Sequence, residues 1–69
     1  MEIAEGRRER KQRLLRQKLT STAMEMFSTQ GYDAVTMEQI ATKADVAKGT
    51  LYNHFPIKEA LIASWLHEE

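Results

Sequence analysis

The stretch "VTMEQIATKADVAKGTLYNHFP", residues 35–56, decides the fold. Its apolar residues recur at helical steps and never alternate, so it spells two short helices, one over 37–44 and one over 47–54. The first has a clear start. Thr36 can accept with its hydroxyl from the amide of Gln39, Gln39 can reach back to the amide of Thr36, and Val35 can pack on Ile40. That combination is a capping box with a hydrophobic staple. Met37, Ile40, Ala41 and Ala44 then face one way, with Glu38 and Lys43 facing outward. Asp45 follows in the turn "ADVA", and aspartate tolerates the left-handed region better than most residues. Leu51 and Phe55 point inward from the second helix. Pro56 stops it, because proline lacks an amide donor and biases Phe55 away from the α region. Two short helices across a tight turn have the arithmetic of a helix-turn-helix.

Outward from this unit the pattern stays helical. From 8 to 30, Leu15, Leu19, Ala23, Met26 and Phe27 share one helix face, and Gly31 stands where a left-handed glycine would end that helix. Tyr32 is expected to pack the corner after it. From 58 onward Ala60, Leu61, Ile62, Trp65 and Leu66 spell a fourth helix running to the end of the chain. The two valines and four isoleucines lie in no alternating run, so no strand is expected. The expected fold is all-α, a three-helix homeodomain-like helix-turn-helix bundle plus the start of a fourth helix.

Composition narrows the function. A chain of 69 residues holds one domain, and a core of that size supplies roughly 3–5 kcal/mol of net stability. With no cysteine there is no disulfide or thiolate metal site, and the two histidines lack zinc-motif spacing, so neither metal nor cofactor is expected. No window is apolar enough for a membrane span, and the basic N-terminal region leads into charged residues, so a cytoplasmic protein is expected. The formal net charge of zero hides an asymmetry: residues 6–18 carry seven bases against Glu9 alone, while residues 19–69 carry three bases against seven acids. A basic block on an acidic domain suits a polyanion, either nucleic acid or an anionic membrane; a solvated helix face with snorkelling side chains accounts for it as well. The expected layout is a flexible tail over 1–6 and a helix-turn-helix domain over 7–69, with a basic extension at 7–18.

In a helix-turn-helix the second helix presents its N-terminal residues to base edges in the major groove while the first crosses the backbone. The outward residues of the 47–54 helix are Ala47, Lys48, Thr50 and Asn53, small or hydrogen-bonding, and Gly49 has no side chain. Gly49 costs about 1 kcal/mol against alanine in a helix interior. It makes sense where the backbone must come close to a duplex.

"FSTQGYDAVTMEQIA" and "VAKGTLYNHFPIKEAL", at this separation, resemble the N-terminal DNA-binding domain of the TetR family of bacterial transcriptional regulators, and the likeness spans about residues 15–66. The resemblance implies that Thr36 contacts phosphate, that Lys48 reaches a guanine edge or a phosphate, and that Thr50 meets a base edge or a thymine methyl. It implies phosphate contacts from Tyr52 and His54 and from Lys58 in the first turn of the fourth helix. Plainer roles compete: a helix cap for Thr36, a solvated lysine or threonine for Lys48 and Thr50, and a core or capping histidine for His54. The basic extension would lie along DNA or reach into the minor groove. Two departures stand out: Ala47 and Ile57 occupy positions that are often serine in the family, where alanine costs about 0.5–2 kcal/mol as an N-cap.

The resemblance also implies a double-stranded operator, palindromic and read by a homodimer, with repression the commonest outcome. Dimerisation and small-molecule effector binding would belong to a C-terminal domain absent from this sequence, and Trp65 is expected to have packed against it. Two rival readings are a helical interaction module docking through Leu61, Ile62, Trp65 and Leu66, and a peripheral membrane binder. An enzyme is not expected, since no carboxylate pair, nucleophile–base pair or phosphate-cradling glycine loop is present.

Overall fold

In the computed structural model, which describes residues 6–67, the elements are α1 (Arg7–Gln30), a 3-10 turn (Tyr32–Ala34), α2 (Met37–Ala44), α3 (Lys48–His54) and α4 (Lys58–His67). No strand occurs among the described residues. The tail expected over 1–6 lies outside them except for Gly6, the N-cap of α1, and so do the last two positions of the fourth helix. No helix among the described residues is long and apolar enough to cross a membrane.

The 24 residues of α1 are largely arginine, lysine, glutamine, leucine and methionine, which lose little rotamer freedom in a helix. Gly6 donates its amide to Glu9 Oε1 at 3.3 Å, so a carboxylate sits at the positive end of the helix dipole. Only the later part of α1 packs: Leu19, Ala23 and Met26 are buried, with Leu15 and Phe27 at the margin. Ahead of Leu15 the helix projects with Arg8, Arg10, Lys11 and Leu14 exposed, a reach of about 12 Å at 1.5 Å per residue. The basic extension is therefore helical.

Thr20, absent from the expected core, is buried at 1% exposure. Its hydroxyl donates within its own helix, to Arg16 O at 3.1 Å and Gln17 O at 3.0 Å, which lets a polar side chain occupy an apolar position.

Gly31 ends α1 by a different route from the one expected. Its φ of 93° is positive, but its ψ of 139° is extended rather than left-handed helical, a combination essentially restricted to glycine. Its amide closes on Phe27 O at 2.9 Å and its carbonyl accepts from Ala34 N at 3.1 Å, so one residue stops the helix and starts the 3-10 turn. A Cβ at Gly31 would meet nothing within 4 Å, which makes the cost of Gly31→Ala one of backbone strain alone. That cost is expected to be about 1–3 kcal/mol, read as a lowered urea midpoint at unchanged m-value. A midpoint equal to the wild type's would show that the turn can re-form without glycine.

The capping box of α2 is present: Gln39 N donates to Thr36 Oγ1 at 3.1 Å, and Thr36 N donates to Gln39 Oε1 at 3.0 Å. Met37, Ile40, Ala41 and Ala44 are its buried residues. The helix ends in a Schellman arrangement, with Asp45 at φ 62°, ψ 46°, Val46 N bonded to Ala41 O at 3.0 Å and Asp45 N to Thr42 O at 3.1 Å. Val46 packs at the margin of the core, so the turn is held by hydrogen bonds and by burial together.

Helix α3 starts one residue later than expected, at Lys48, because Ala47 stays extended at φ −69°, ψ 147° and offers no side-chain cap. Leu51 is fully buried, and Phe55, extended at φ −140° as the following proline demands, is 4% exposed. In α4 only Leu61 is buried; Trp65 is 43% and Leu66 74% exposed. Helix α1 packs across α2 and α4, α3 hangs on α2, and one core joins them through Leu19, Ile40, Leu51, Phe55 and Leu61.

Candidate nucleic-acid interface

The helix-turn-helix sets α3 beyond α2 with most of its side chains in solvent. Ala47, Lys48, Gly49, Tyr52 and Asn53 are exposed, and Thr50 and His54 are half-buried. Gly49 has no positive φ, and a Cβ there would meet nothing within 4 Å. Nothing within the fold requires glycine at this position, although it costs roughly 0.5–1 kcal/mol relative to alanine. Glycine at this position lowers the relief of the surface without being required by the backbone.

Thr36 is exposed at the start of α2, with its hydroxyl oxygen accepting from Gln39 N. The amides of the first turn and the helix dipole favour an anion at that point. His54 stands 6.3 Å from the Phe55 ring, centroid to centroid, with the planes tilted by 42°. It leans on the core without being enclosed by it.

Lys58 has a partner set that its sequence position did not disclose. Its ammonium donates to Tyr32 O at 2.7 Å and Val35 O at 2.8 Å and lies 4.3 Å from the centre of the Tyr32 ring. That ring meets Phe27 edge-on at 4.9 Å. Lys58 thus ties α4 to the corner between α1 and α2, and it stands beside the residue that precedes Thr36. Two of its three N–H donors are used by these carbonyls. The Tyr32 hydroxyl is enclosed and meets no acceptor or donor among the described residues at hydrogen-bonding geometry. That enclosure first, then the nearby carboxylate of Glu59 and the charge of Asp33, hold its pKa above the ordinary tyrosine value.

Lys48 also has a neighbour: its Nζ lies 3.8 Å from Glu38 Oε2, with both side chains more than half exposed. The fold therefore gathers Thr36, Lys48 and Lys58 around the start of α2, while Tyr52, Asn53 and His54 follow along α3. Glu38 was read from the sequence only as an outward-facing residue. An acid in the first turn of α2, with a lysine opening the next helix, was the available signal.

A short, low-relief helix presented across a tight turn by a capped partner defines the class as a helix-turn-helix DNA-binding domain. The profile of the bacterial regulatory proteins of the tetR family matches residues 19–64, and the chain belongs to that family. It is 44% identical over 66 residues to the HTH-type transcriptional repressor KstR of Mycobacterium tuberculosis, covering 96% of this chain and 28% of that protein. The KstR repressor of Mycolicibacterium smegmatis is 42% identical over 66 residues, covering 96% of this chain and 30% of the relative. The HTH-type transcriptional regulator TcmR of Streptomyces glaucescens is 44% identical over 54 residues, covering 78% of this chain and 24% of its own length. The chain spans less than a third of the length of these relatives. No solved structure matches it significantly.

Proposed function

We propose that this domain binds double-stranded DNA by placing α3 in the major groove, as the reading head of a transcriptional repressor. The observation that carries the reading is Gly49, an exposed helix glycine that the fold does not need. Lys48 and Thr50 address base edges, and Ala47, Gly49 and Asn53 complete the close-fitting surface. Thr36, Tyr52 and His54 position the domain on phosphates, and Lys58 adds its remaining N–H from a place fixed by the Tyr32 and Val35 carbonyls. In a longer protein two copies would read a palindromic operator with half-sites about 34–36 Å apart. Dimerisation and effector binding would belong to the rest of that protein, and the exposed Trp65 and Leu66 are the surface through which α4 would meet it. A repressor of this kind works where bacterial DNA is, in the cytoplasm.

The projecting half of α1 adds to the phosphate contacts. A helix about 10–12 Å across does not enter a minor groove about 6 Å wide. The extension therefore lies along the backbone, presenting Arg8, Arg10 and Lys11. Removing residues 1–11 is expected to flatten the log–log salt dependence of binding by about 0.9 per lost phosphate contact. An unchanged slope would take the extension out of the interface.

The reading as a whole is tested by in vitro selection of duplex DNA with the 69-residue chain, repeated with Lys48→Ala and Thr50→Ala. Salt-dependent binding in the range of about 10⁻⁴–10⁻⁶ M and a preference altered by the two substitutions are expected. No enrichment together with no salt-dependent binding would refute it.

A further inference from the structure

We infer that Glu38 and Lys48 work as one unit that reads a single G·C pair in the major groove. The inference rests on the DNA-binding reading above and adds a specificity residue to it.

The unit is built by two separate helices. Gln39 is committed to the cap of α2 through Thr36, and Glu38, one position earlier and also in the first turn, stands in solvent. Lys48 is the first residue of α3. The Schellman turn between them, with Val46 N on Ala41 O and Asp45 left-handed, fixes how the two helices are set, so the 3.8 Å between Lys48 Nζ and Glu38 Oε2 comes from the tertiary arrangement.

Lys48 and the first-turn position in α2 favour a carboxylate at Glu38, but on a surface that approaches a polyanion it is also repelled by phosphate, a repulsion that a donor on a base edge offsets. The donors on major-groove base edges are the exocyclic amines of cytosine and adenine, and the commonest partners of a lysine are O6 and N7 of guanine. In a G·C pair O6 and N4 are hydrogen-bonded to each other, about 2.9 Å apart, close to the spacing of the two charged groups. An ammonium can also share O6 with the adjacent N7. An A·T pair offers the lysine a thymine O4 flanked by a methyl group, or an adenine N7 alone, so it fits the same two groups less well. Because Glu38 balances its charge, Lys48 held in this way contributes little to sequence-independent attraction by phosphate.

The test combines selection from a randomised duplex library with salt titration on a fixed non-cognate duplex, using the 69-residue chain and Glu38→Ala, Glu38→Asp and Lys48→Ala variants. Wild type is expected to enrich G·C at one position. Glu38→Ala and Lys48→Ala should each relax that same position, by roughly 5- to 150-fold, with no further loss when combined. Glu38→Ala should also steepen the non-cognate salt slope by about 0.9, as the released lysine takes up a phosphate. Glu38→Asp, which keeps the charge but withdraws the carboxylate, should relax the position and leave that slope unchanged. Both side chains are exposed, and circular dichroism of each variant checks that the fold persists. Unchanged base preference in the Glu38 variants, relaxation at different positions by Glu38→Ala and Lys48→Ala, or enrichment of A·T overturns this inference while leaving DNA binding intact. Absence of any DNA binding by wild type overturns both readings together.

Discussion

Leu51→Ala is expected to leave the domain unfolded at 25 °C. Leu51 is fully buried and is the one buried side chain within α3, a helix of seven residues. Isolated helices shorter than about 12–15 residues are marginal in water, so α3 exists because its leucine and the following Phe55 are held by the core. Truncating a buried leucine to alanine costs about 2–5 kcal/mol, which matches the roughly 3–5 kcal/mol available to a core of this size. Far-UV circular dichroism and urea titration read the outcome, with Leu51→Met as a control that keeps the volume and costs less than about 1.5 kcal/mol. A cooperative melt within about 1 kcal/mol of wild type would mean that neighbouring side chains refill the site.

Lys58→Met is expected to be the next most damaging change. It keeps the aliphatic stem and removes the ammonium that serves Tyr32 O and Val35 O and sits over the Tyr32 ring. Hydrogen bonds to charged groups contribute about 1.5–3 kcal/mol and a partly exposed cation–π contact about 0.5–1. Because Lys58 is only partly buried and water can reach the released carbonyls, a net loss of about 2–3 kcal/mol is expected, or about 8–24 °C in Tm for a domain of this size. Lys58→Arg should not restore it, since a planar guanidinium fork does not reproduce the compact point donor. Thermal melting separates this role from a phosphate contact, which would appear instead as a salt slope about 0.9 smaller when binding is measured at a temperature where the variant is folded. Wild-type stability with a reduced slope would make Lys58 a DNA contact alone.

Much of the fold could be read from neighbours in sequence. The cap between Thr36 and Gln39, the stop at Pro56, the left-handed tolerance of Asp45 and the buried face of α2 depend on groups within three or four residues of one another. Apolar spacing does not carry Thr20, whose hydroxyl is hidden by its own helix, nor the extended ψ of Gly31 and the 3-10 turn it begins. The exposure of Trp65 and Leu66 beside the buried Leu61 was anticipated in outline, since a core this small cannot take all four apolar residues of that helix.

The candidate interface divides in the same way. By itself the sequence determined an all-α helix-turn-helix and a low-relief third helix around Gly49, because periodicity, caps and turn chemistry are short-range properties, and its family followed from the likeness of two motifs to a known pattern. Only the tertiary structure decided that Lys58 reaches back 26 and 23 residues to the carbonyls of Tyr32 and Val35, and that Glu38 stands beside Lys48. Those contacts depend on how α4 and α3 are set against the rest of the bundle. The hydrogen-bonded turn at Asp45 and Val46 sets α3 on α2, but the placing of the pair against α1 and α4 comes from non-directional burial of Leu19, Ile40, Leu51, Phe55 and Leu61 in one core, which no local pattern specifies.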